Sequence, residues 1–439
     1  MLKINVIGAG LAGSECALYL ANKGYKVNLF DIKGKNMTPA HHSTDFAEIV
    51  CSNSFKSDDE NTASGILKRE LTQLGSELIK TAYTVRVPAG QALAVDRDEF
   101  SKIITEKIKS NKNIEIHCED VNHFDSDAIT IVATGPLSTN NICNAIKEKI
   151  GEDFFYFYDA AAPIISADSI DTTIAFFGAR YNKGDADYLN CPMNKEEYAN
   201  FYNELINAKT VELHEFEKKN LFESCMPIEI MAKRGVDAIR FGPLKPVGIF
   251  NPHKDEKPYA VVQLRKENNT GTMYNLVGFQ TNLMFPEQKR VFSLIPGLKN
   301  AEFLRYGVMH TNNYVNFPKC LDEYSRLKVD SNIYIAGQLS GVEGYVESIA
   351  SGLYCAINVA RLLEGKQPVK FSADTIIGGL YNYLTNANQD NFQPINANLG
   401  ILNPINMRDK QQRNIEYRLR SLREIDNIKK ELDNNKTIF

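Results

Sequence analysis

The sequence predicts an α/β protein in which a Rossmann-type domain, formed by both ends of the chain, carries an inserted α+β domain. Three observations predict this fold. A strand, a glycine loop, a helix and a second strand follow one another within the first 31 residues. Two later strand-then-glycine segments can join the same sheet, and a β-hairpin pattern lies between them. The length of 439 residues also exceeds what one hydrophobic core usually supports.

The N-terminal unit has the order that dinucleotide-binding βαβ motifs require. A strand pattern opens the chain, the loop of residues 8–13 is glycine-rich, and apolar residues at helical spacing follow. Gly8 permits the tight turn, Gly10 lets a pyrophosphate approach the backbone, and Gly13 lets the helix pack closely on the strand. Asp31 ends the second strand, where its carboxylate can accept hydrogen bonds from a ribose. The predicted cofactor contacts of this unit are Gly8, Ala9, Gly10, Leu11, Ala12, Gly13 and Asp31.

Two later segments indicate that the dinucleotide is FAD. Residues 129–135 and 333–338 resemble the strand-then-glycine crossings of FAD-binding proteins of the glutathione-reductase type. A helix pattern from Tyr345 to Leu363 then returns to the sheet. Many such proteins carry aspartate where this chain has Gln338, so a polar contact at this position would be neutral. These segments add Thr134, Gly135, Gly337 and Gln338 to the predicted cofactor contacts.

The predicted FAD-binding domain is therefore divided in sequence. Its first part spans residues 1–151, and its second part spans residues 329–439 and ends in a charged, helix-like segment that we interpret as a solvated packing helix. The inserted α+β domain spans residues 152–328 and is expected to face the substrate. Within it, residues 259–264 and 273–279 have strand patterns around a turn-rich segment, which predicts a β-hairpin.

Composition and charge exclude several classes of protein. Hydrophobic residues make up 43% and charged residues 24%, the balance of a globular chain. No apolar run has the character of a membrane span and no signal sequence precedes the first strand, so we expect a cytoplasmic protein without membrane or DNA partners. Because the net charge is −4, any RNA contact must come from a local patch. The eight cysteines have no zinc-type spacing, so we predict no metal site.

Two cysteines lie in segments that do not have the pattern of core strands. Residues 38–54 combine two histidines and Cys51 with small polar residues, and residues 222–229 place Cys225 before Met-Pro. A cysteine in a cytosolic chain is usually a buried, reduced packing residue. Because two cysteines lie in loops of this kind, a reactive role is as consistent with the sequence as a packing role.

A series of short sequence blocks extends through the chain in a fixed order. The blocks read GAGLAGSE, TPAHH, CSNS, VPAG, ALAVDR, ATGPL, YFYDAAAPI, YLNCPM, MPIE, MAKRG, YAVVQLR, IPGL, RYGVMH and GVEGYVES. In this order the chain resembles the folate- and FAD-dependent tRNA (uracil-5-)-methyltransferase family, TrmFO. The resemblance covers nearly all of the chain up to about residue 400.

The resemblance implies a reaction and its participants. Methylenetetrahydrofolate gives a one-carbon unit to a uridine C5 through a methylene carried on flavin N5, and NAD(P)H recharges the FAD. Uracil C5 becomes nucleophilic once a thiolate adds at C6, so the reaction needs a reactive cysteine. By the motif match, Cys225 is expected to add at C6 and Cys51 to lie beside flavin N5, although the two roles can be exchanged. Tyr345 is expected to pack against the isoalloxazine ring.

The segment from Lys233 to Lys266 is locally basic. It holds eight basic residues against three acidic ones, a net charge of +5 in a chain of net charge −4. Prolines and glycines between these residues favour loops, and a solvated helix face is the alternative. We therefore predict a patch that positions RNA phosphates. Its candidate contacts are Lys233, Arg234, Arg240, Lys245 and Arg265.

The sequence leaves the RNA target open between two alternatives. The T-loop uridine of tRNA is the expected target, because it is that of the commoner family members, and the alternative is a uridine of 23S ribosomal RNA, which a paralogue methylates. Thr311 and Asn312 stand where the relatives read Arg-Asn, which keeps the second alternative open. The oligomeric state is also open between a monomer and a homodimer.

Three other classes of protein are less consistent with the sequence. A flavin thiol oxidoreductase would need a close pair of redox cysteines, and the sequence has neither C-x-x-C nor C-x₄-C. The larger glucose-inhibited-division family, which modifies the wobble uridine of tRNA, has a long helical C-terminal domain for which this chain has no room. A non-catalytic flavin-dependent RNA-binding module would bind RNA without turning over folate.

Overall fold

The computed structural model describes residues 3–38, 40–151, 155–160, 162–182, 185–211, 226–254, 257–267, 270–307 and 309–433. Its strands are β1 (Lys3–Ile7), β2 (Val27–Asp31), β3 (Ser54–Ser57), β4 (Arg86–Val87), β5 (Ala92–Val95), β6 (Ile114–Cys118), β7 (Ala128–Val132), β8 (Phe155–Ala160), β9 (Ile164–Ser166), β10 (Phe176–Phe177), β11 (Leu189–Met193), β12 (Ala260–Lys266), β13 (Met273–Leu276), β14 (Phe303–Arg305), β15 (Met309–Tyr314), β16 (Arg326–Leu327) and β17 (Asp330–Ile335). Its α-helices are α1 (Leu11–Asn22), α2 (Ala63–Gln73), α3 (Glu77–Thr84), α4 (Arg97–Ser110), α5 (Asn140–Ile150), α6 (Lys195–Asn207), α7 (Ile228–Ala232), α8 (Ala238–Phe241), α9 (Phe285–Phe292), α10 (Phe317–Cys320), α11 (Tyr345–Leu363), α12 (Ile376–Asn386) and α13 (Lys410–Asp433).

A six-stranded sheet in the order β16-β17-β7-β1-β2-β6 forms the centre of the first domain. Strand β1 is parallel to β2 and β7, β17 is parallel to β7, and β2 is parallel to β6, whereas β16 is antiparallel to β17. Ile7 and Ile335 both pair with Val132, so these strands end at one edge of the sheet. The sheet confirms the Rossmann-type fold. Ligands of such sheets bind outside the carboxyl ends of the strands.

Helix α11 is the core helix of this domain, and its bounds agree with the predicted ones. It packs on α1 where both helices have small residues, since a Cβ atom on Gly352 would lie 2.3 Å from the carbonyl oxygen of Ala12. By length and composition α11 could span a membrane, but 83% of the apolar stretch is buried inside the protein. Its apolar character therefore serves core packing.

The inserted segment has its own sheet and its own hydrophobic core. The strands lie in the order β10-β11-β12-β13-β9-β14, and neighbouring strands are antiparallel. Strands β12 and β13 form the expected hairpin, in which Arg265 lies opposite Asn275. The helices that pack on this sheet contribute Phe201, Ile228 and Phe292 to its core. The exact domain boundaries stay a prediction.

A small third sheet, β3-β5-β4, follows the Cys51 segment, and the sequence analysis did not predict it. Ser54, expected in a loop, is the first residue of β3. The fully buried Lys68 holds this strand because its ammonium group donates to the carbonyl oxygens of Phe55 and Ser57 at 2.9 and 2.7 Å. Burial lowers the pKa of Lys68 to about 8. The exit of the Cys51 loop is thereby fixed.

The charged segment near the C-terminus forms α13, as expected, and residues 434–439 lie outside the described part of the chain. One face of α13 is buried and the rest is exposed or half-buried, which agrees with a solvated packing helix. The buried residues are Tyr417, Ser421, Ile425 and Ile428.

Candidate active site

A cleft opens at the carboxyl edge of the central sheet, where ligand binding is expected. The predicted cofactor contacts that line it are Gly8, Ala9, Gly10, Asp31 and Thr134. Its wall also contains polar residues that the sequence analysis did not predict as contacts, namely Lys33, Thr38, His41, Glu48, Glu119, Asp120, Ser138 and Thr139.

The glycine loop fits the pyrophosphate of a dinucleotide. Gly8 has a φ of +97°, and a Cβ atom on Gly13 would lie 1.7 Å from the Gly8 carbonyl oxygen, so both positions need glycine for folding. A Cβ atom on Gly10 would meet no protein atom within 4 Å, so its missing side chain leaves open space at the cleft. Gly10 also caps α1 without a side-chain hydrogen bond, which leaves the helix N-terminus to an anionic ligand. The residues present therefore fit FAD.

Asp31 is oriented by two backbone N–H groups. Ala9 N–H donates to Asp31 Oδ2 at 2.6 Å, and Lys33 N–H donates to Oδ1 at 2.8 Å. The carboxylate is thus held at the end of β2, beside the cleft. The N–H of Ala9 orients Asp31 rather than a phosphate, although Ala9 itself lines the cleft.

A polar wall lies on the same cleft, and its His41 and Glu48 belong to the segment 38–54 that the sequence analysis singled out. Lys33 is 7% exposed and donates to Glu48 Oε2 at 2.8 Å. Burial raises the pKa of Glu48, but hydrogen bonds from Lys33 and the His42 N–H outweigh it and leave this pKa lowered. Burial and the Lys33 ammonium lower the pKa of His41. The wall therefore presents a paired carboxylate and a neutral imidazole at neutral pH.

The remaining predicted cofactor contacts lie around the starts of α1 and α11 and after β7. A Cβ atom on Gly337, which has a φ of +71°, would lie 2.9 Å from Ala12 Cβ, so the turn after β17 packs on α1. Gln338 donates through Nε2 to Glu343 Oε2 at 2.6 Å, which makes its amide a neutral partner of a carboxylate. Gly135 has a φ of +72° in the turn after β7. The residues buried in the first turn of α1 are Leu11, Ala12 and Gly13.

Cys51 lies in an irregular loop whose backbone is held at several points. Its N–H donates to the hydroxyl oxygen of Tyr345 at 2.8 Å. Arg97 donates to the carbonyl oxygens of Ile49 and Cys51 at 2.8 and 2.9 Å. Burial, and then the neighbouring Cys51, raises the pKa of Tyr345 well above its ordinary value, so its hydroxyl stays protonated. Cys51 is thereby fixed beside the first residue of α11.

Arg97 also forms an ion pair with Glu267, the residue that follows β12 of the inserted domain. Arg97 Nε donates to Glu267 Oε2 at 2.9 Å, and Nη2 contacts the same oxygen. The Glu267 side chain is fully buried and that of Arg97 is 12% exposed. Burial lowers the pKa of Arg97, but the Glu267 carboxylate outweighs burial and raises this pKa above its ordinary value. A cationic Arg97 therefore connects the Cys51 loop to the inserted domain.

The prediction that Arg265 contacts RNA phosphates is wrong. Arg265 is 6% exposed, and its Nε donates to Asn53 Oδ1 at 3.0 Å while its Nη2 donates to Ser52 Oγ. Asn53 Nδ2 in turn donates to the carbonyl oxygen of Lys266 at 2.9 Å. The local excess of positive charge around Arg265 did not indicate exposure, because this guanidinium joins the inserted domain to the Cys51 loop.

A second cleft opens where the inserted domain meets the Cys51 side of the first domain. Its lining includes His42, Ser43, Asp45, Arg97, Asp98, Met273, Leu304 and Arg305. Nη2 of Arg305 is buried and has no hydrogen-bond partner among the described residues. Burial and then the Arg97 guanidinium lower the pKa of Arg305. The two arginines lie in the blocks ALAVDR and RYGVMH, and the carboxylates of Asp45, Glu48 and Asp98 line the same cleft.

Cys225 lies outside the described residues, which resume at Met226. The segment after it is anchored in the inserted domain. Ile228 N–H donates to the Gln280 carbonyl oxygen at 2.7 Å, and Thr281 Oγ1 donates to Glu229 Oε2 at 2.8 Å. Burial raises the pKa of Glu229. The chain that follows Cys225 is therefore held by a buried polar contact.

The described cysteines differ in exposure. Cys16, Cys191, Cys320 and Cys355 are buried, as expected for packing residues, whereas Cys118 is exposed. Burial raises the pKa of Cys191 to about 12 and that of Cys355 to about 12, so these thiols stay protonated and unreactive. Cys51 and Cys143 are half-buried, and burial raises the pKa of Cys143 to about 11. Among the described cysteines, Cys51 is the one that lies in a polar loop with arginines beside it.

Three of the remaining RNA-contact candidates are exposed, namely Lys233, Arg234 and Lys245. Arg240 differs from them because its side chain is 23% exposed and its Nε donates to the Tyr259 carbonyl oxygen at 3.1 Å. Its guanidinium also lies 4.1 Å from the Tyr259 ring centroid. Arg240 therefore contributes to the packing of this region in addition to its charge.

Comparisons with known proteins give a consistent result. The family model described as Glucose inhibited division protein A matches residues 3–367. Methylenetetrahydrofolate–tRNA-(uracil-5-)-methyltransferase TrmFO of Acetivibrio thermocellus is 54% identical over 422 residues, which cover 96% of this chain and 97% of that protein. The protein of the same name from Fusobacterium nucleatum is 53% identical over 429 residues, covering 97% and 98%. GidA of Aquifex aeolicus in its form II crystal is similar in structure, with a TM-score of 0.71 and 17% identity, covering 98% of this chain and 73% of that chain.

The fold and the cleft at the carboxyl edge define an FAD-binding flavoprotein. The chain belongs to the TrmFO family of its nearly full-length relatives and to the wider family described as Glucose inhibited division protein A. The match shows that this wider family, named from the sequence as a rival, includes the present chain. The resemblance stated from the sequence blocks is thus confirmed. The likeness to GidA concerns the fold alone, and this chain spans 73% of that longer protein.

Proposed function

We propose that this protein transfers a one-carbon unit from methylenetetrahydrofolate to C5 of a uridine in tRNA and uses NAD(P)H to reduce that unit to a methyl group. The T-loop uridine is the proposed target, and a uridine of 23S ribosomal RNA is the alternative. Relatives that are 54% and 53% identical over nearly the whole chain carry this activity in their names. The cytoplasm is the proposed location.

One observation in the fold carries the proposal. Cys51, a cysteine with a fixed backbone, lies between the first residue of α11 and the inserted domain. A thiol here would meet both the cofactor of the first domain and a substrate bound by the second. When FAD is bound, it relays hydride from NAD(P)H and carries the one-carbon unit. Gly8, Gly10 and Asp31 would hold its dinucleotide part, and Tyr345 would lie against its ring.

Cys51 is the proposed thiol on the cofactor side. Its backbone N–H and carbonyl groups are hydrogen-bonded to Tyr345 and Arg97, so the backbone that carries the thiol side chain is held in place. The guanidinium groups of Arg97 and Arg305 interact electrostatically with Cys51. Positive charge beside a cysteine favours the thiolate, which is the reactive form.

Cys225 is the proposed nucleophile toward uracil C6. Addition of its thiolate at C6 moves electron density to C5, which then forms a bond to the one-carbon unit. A base next removes the C5 proton, and the bond between the one-carbon unit and its carrier nitrogen breaks. Hydride that originates in NAD(P)H then adds to the exocyclic methylene, and loss of the thiolate from C6 restores the C5–C6 double bond and leaves a methyl group. The described segment that follows it is anchored by the hydrogen bond from Thr281 to Glu229. The roles of Cys225 and Cys51 can be exchanged.

The activity is tested with purified protein, FAD, methylenetetrahydrofolate, NADH or NADPH, and two RNAs in one reaction. The RNAs are an unmodified tRNA transcript and a fragment of 23S ribosomal RNA. We expect 5-methyluridine in the T-loop of the tRNA, mapped by mass spectrometry of nuclease fragments. Labelling of the ribosomal fragment alone would identify the alternative target, and methylation of neither RNA would refute the proposed function.

The cysteine roles are tested with three alanine variants. Cys225→Ala is expected to bind FAD and accept electrons from NAD(P)H, yet to lose methyl transfer and covalent trapping of 5-fluorouridine RNA. Cys51→Ala is expected to lose methyl transfer but to keep the covalent adduct, because Cys225 still adds at C6. Cys118→Ala is the control, since Cys118 is exposed on β6. Near-normal turnover in Cys225→Ala would exclude it as the nucleophile and leave Cys51.

A further inference from the structure

Two large aromatic side chains are exposed at one edge of the sheet of the inserted domain. Phe177, at the end of β10, is 51% exposed, and Tyr181, four residues later, is 64% exposed. We propose that these two rings, called here the aromatic edge, stack on unpaired RNA bases that flank the target uridine. The inference rests on the proposed function in that the substrate is RNA.

Neighbouring residues hold the backbone and the ring of Tyr181 in place. Its φ of +58° lies in the left-handed region, which a bulky residue rarely adopts unless the surroundings enforce it. Tyr181 N–H donates to the Gly248 carbonyl oxygen at 2.7 Å, and a Cβ atom on Gly248 would lie 2.9 Å from the Tyr181 ring. Gly248 therefore makes room for the ring while its carbonyl holds the strained backbone. Strained residues of this kind cluster at functional sites.

A second set of hydrogen bonds attaches the aromatic edge to β12. Arg180 donates to the Val247 carbonyl oxygen at 2.8 Å and to Gln263 Oε1 at 3.0 Å. Gln263 and Arg265 are two residues apart on β12, so their side chains leave the same face about 7 Å apart. Arg265 is the residue that binds Ser52 and Asn53, next to Cys51. Gln263, which holds the segment of Arg180 and Tyr181, is thus one side-chain spacing along β12 from the residue that holds the Cys51 loop. Phe177 pairs with Leu189, so its side chain extends from the opposite face of the same sheet edge.

The charges near the aromatic edge favour a polyanion. Lys266 Nζ lies 5.9 Å from the centroid of the Phe177 ring, and Lys245 is exposed three residues before Gly248. Surfaces that bind single-stranded nucleic acid combine such cations, which contact phosphates, with rings on which bases stack. The nearby carboxylate of Asp187 is bonded to the N–H of Gly90, so it is turned away to the first domain.

The chemistry of the reaction requires unpaired bases at this place. A thiol can add to uracil C6 only if the uridine leaves its stack in the folded RNA, and this removal exposes the faces of the neighbouring bases. Aromatic side chains beside the site can cover these faces and recover part of the lost stacking free energy. The occupant of the aromatic edge is therefore a splayed loop of RNA rather than a duplex.

The test uses the FAD-loaded protein and an unmodified T-loop minihelix that carries 2-aminopurine next to the target uridine. Stacking on an aromatic ring quenches the fluorescence of 2-aminopurine. We expect quenching with the wild-type protein and with Tyr181→Phe, loss of quenching with Phe177→Leu and Tyr181→Leu, and roughly tenfold weaker RNA binding for each leucine variant. The KM for RNA should rise by a similar factor while kcat and FAD content stay unchanged.

Phe285→Leu is the matched control, because Phe285 is 50% exposed in the same domain but already stacks on Tyr306 at 4.8 Å. An equal loss of affinity in Phe285→Leu, or unchanged quenching in both leucine variants, would overturn the inference. So would a protein dimer, seen by sedimentation, that Phe177→Leu dissociates without any effect on RNA binding. Quenching and affinity are measured without turnover, so a wild-type protein that methylates no RNA would refute the proposed function separately.

Discussion

The three glycines of the first loop are needed for different physical reasons. Gly8 and Gly13 are required by the protein itself, since a Cβ atom on Gly13 would lie 1.7 Å from the Gly8 carbonyl oxygen. Gly10 has open space where its side chain would be, so folding does not require glycine there. A glycine at this position leaves room for a ligand to approach the N-terminus of α1.

Two substitutions separate these reasons. Gly10→Val should fold with a nearly unchanged Tm of the FAD-free protein, yet lose FAD because its side chain occupies the space of the pyrophosphate. Gly13→Ala should lower the Tm strongly, since backbone atoms must move to admit one methyl group. Flavin absorbance per protein and thermal unfolding measure the two effects. Stoichiometric FAD in Gly10→Val would contradict the role assigned to this loop.

At the scale of elements, two buried glutamates each join one helix to the N-terminus of another. Glu15 of α1 accepts hydrogen bonds from the Glu77 and Leu78 N–H groups at the start of α3, at 3.1 and 3.0 Å. Glu70 of α2 accepts from the N–H groups of Ile376 and Ile377 at the start of α12. Helix N-termini attract carboxylates, but both side chains are buried. Burial dominates and raises the pKa of each to about 7.

These two glutamates predict a pH dependence of stability. Because the folded pKa of about 7 exceeds the ordinary value of 4.5, the folded state binds more protons than the unfolded state between these pH values. Their contribution is complete below pH 4.5 and is lost as the pH rises toward 7, by roughly 3 kcal/mol at most for each. Denaturant unfolding between pH 4.5 and 7.5 should show a smaller decrease in Glu70→Gln than in the wild type. Glu115→Gln, at an exposed position, should leave the decrease unchanged.

At the scale of the whole molecule, the FAD-binding sheet could be predicted because its signals are local. Strand, glycine turn and helix follow one another within short segments, and the parallel pairing of β1, β2, β7 and β17 then follows from the fold class. The junction of the two domains could not be predicted in this way. Arg97 and Glu267 are 170 residues apart, and Arg265 and Asn53 are 212 apart. A count of local charges therefore placed Arg265 on the surface, although the structure buries it.

The same junction couples the two domains at the Cys51 loop. Arg265 is buried and the Arg97 side chain is 12% exposed, and each bonds groups of residues 49–53 in the first domain. Arg97 is paired with Glu267 and Arg265 belongs to β12, so the position of the inserted domain and the position of Cys51 are linked. The Cys51 loop and β12 of the inserted domain are thereby held together.

Substitutions of Arg97 and Glu267 can separate the contribution of their ion pair to protein stability from the role of Arg97 in positioning the Cys51 loop. Glu267→Gln leaves the Arg97 charge buried and without its counter-ion, so it should cost roughly 3–5 kcal/mol of stability. The double variant Arg97→Met/Glu267→Met removes both charges and should recover much of the lost Tm, since apolar replacements of buried pairs are often neutral. Its kcat for methyl transfer should nevertheless stay low, with an unchanged KM for RNA, because the carbonyl oxygens of Ile49 and Cys51 have lost their donor. Recovery of both Tm and kcat in the double variant would show that Arg97 serves stability alone.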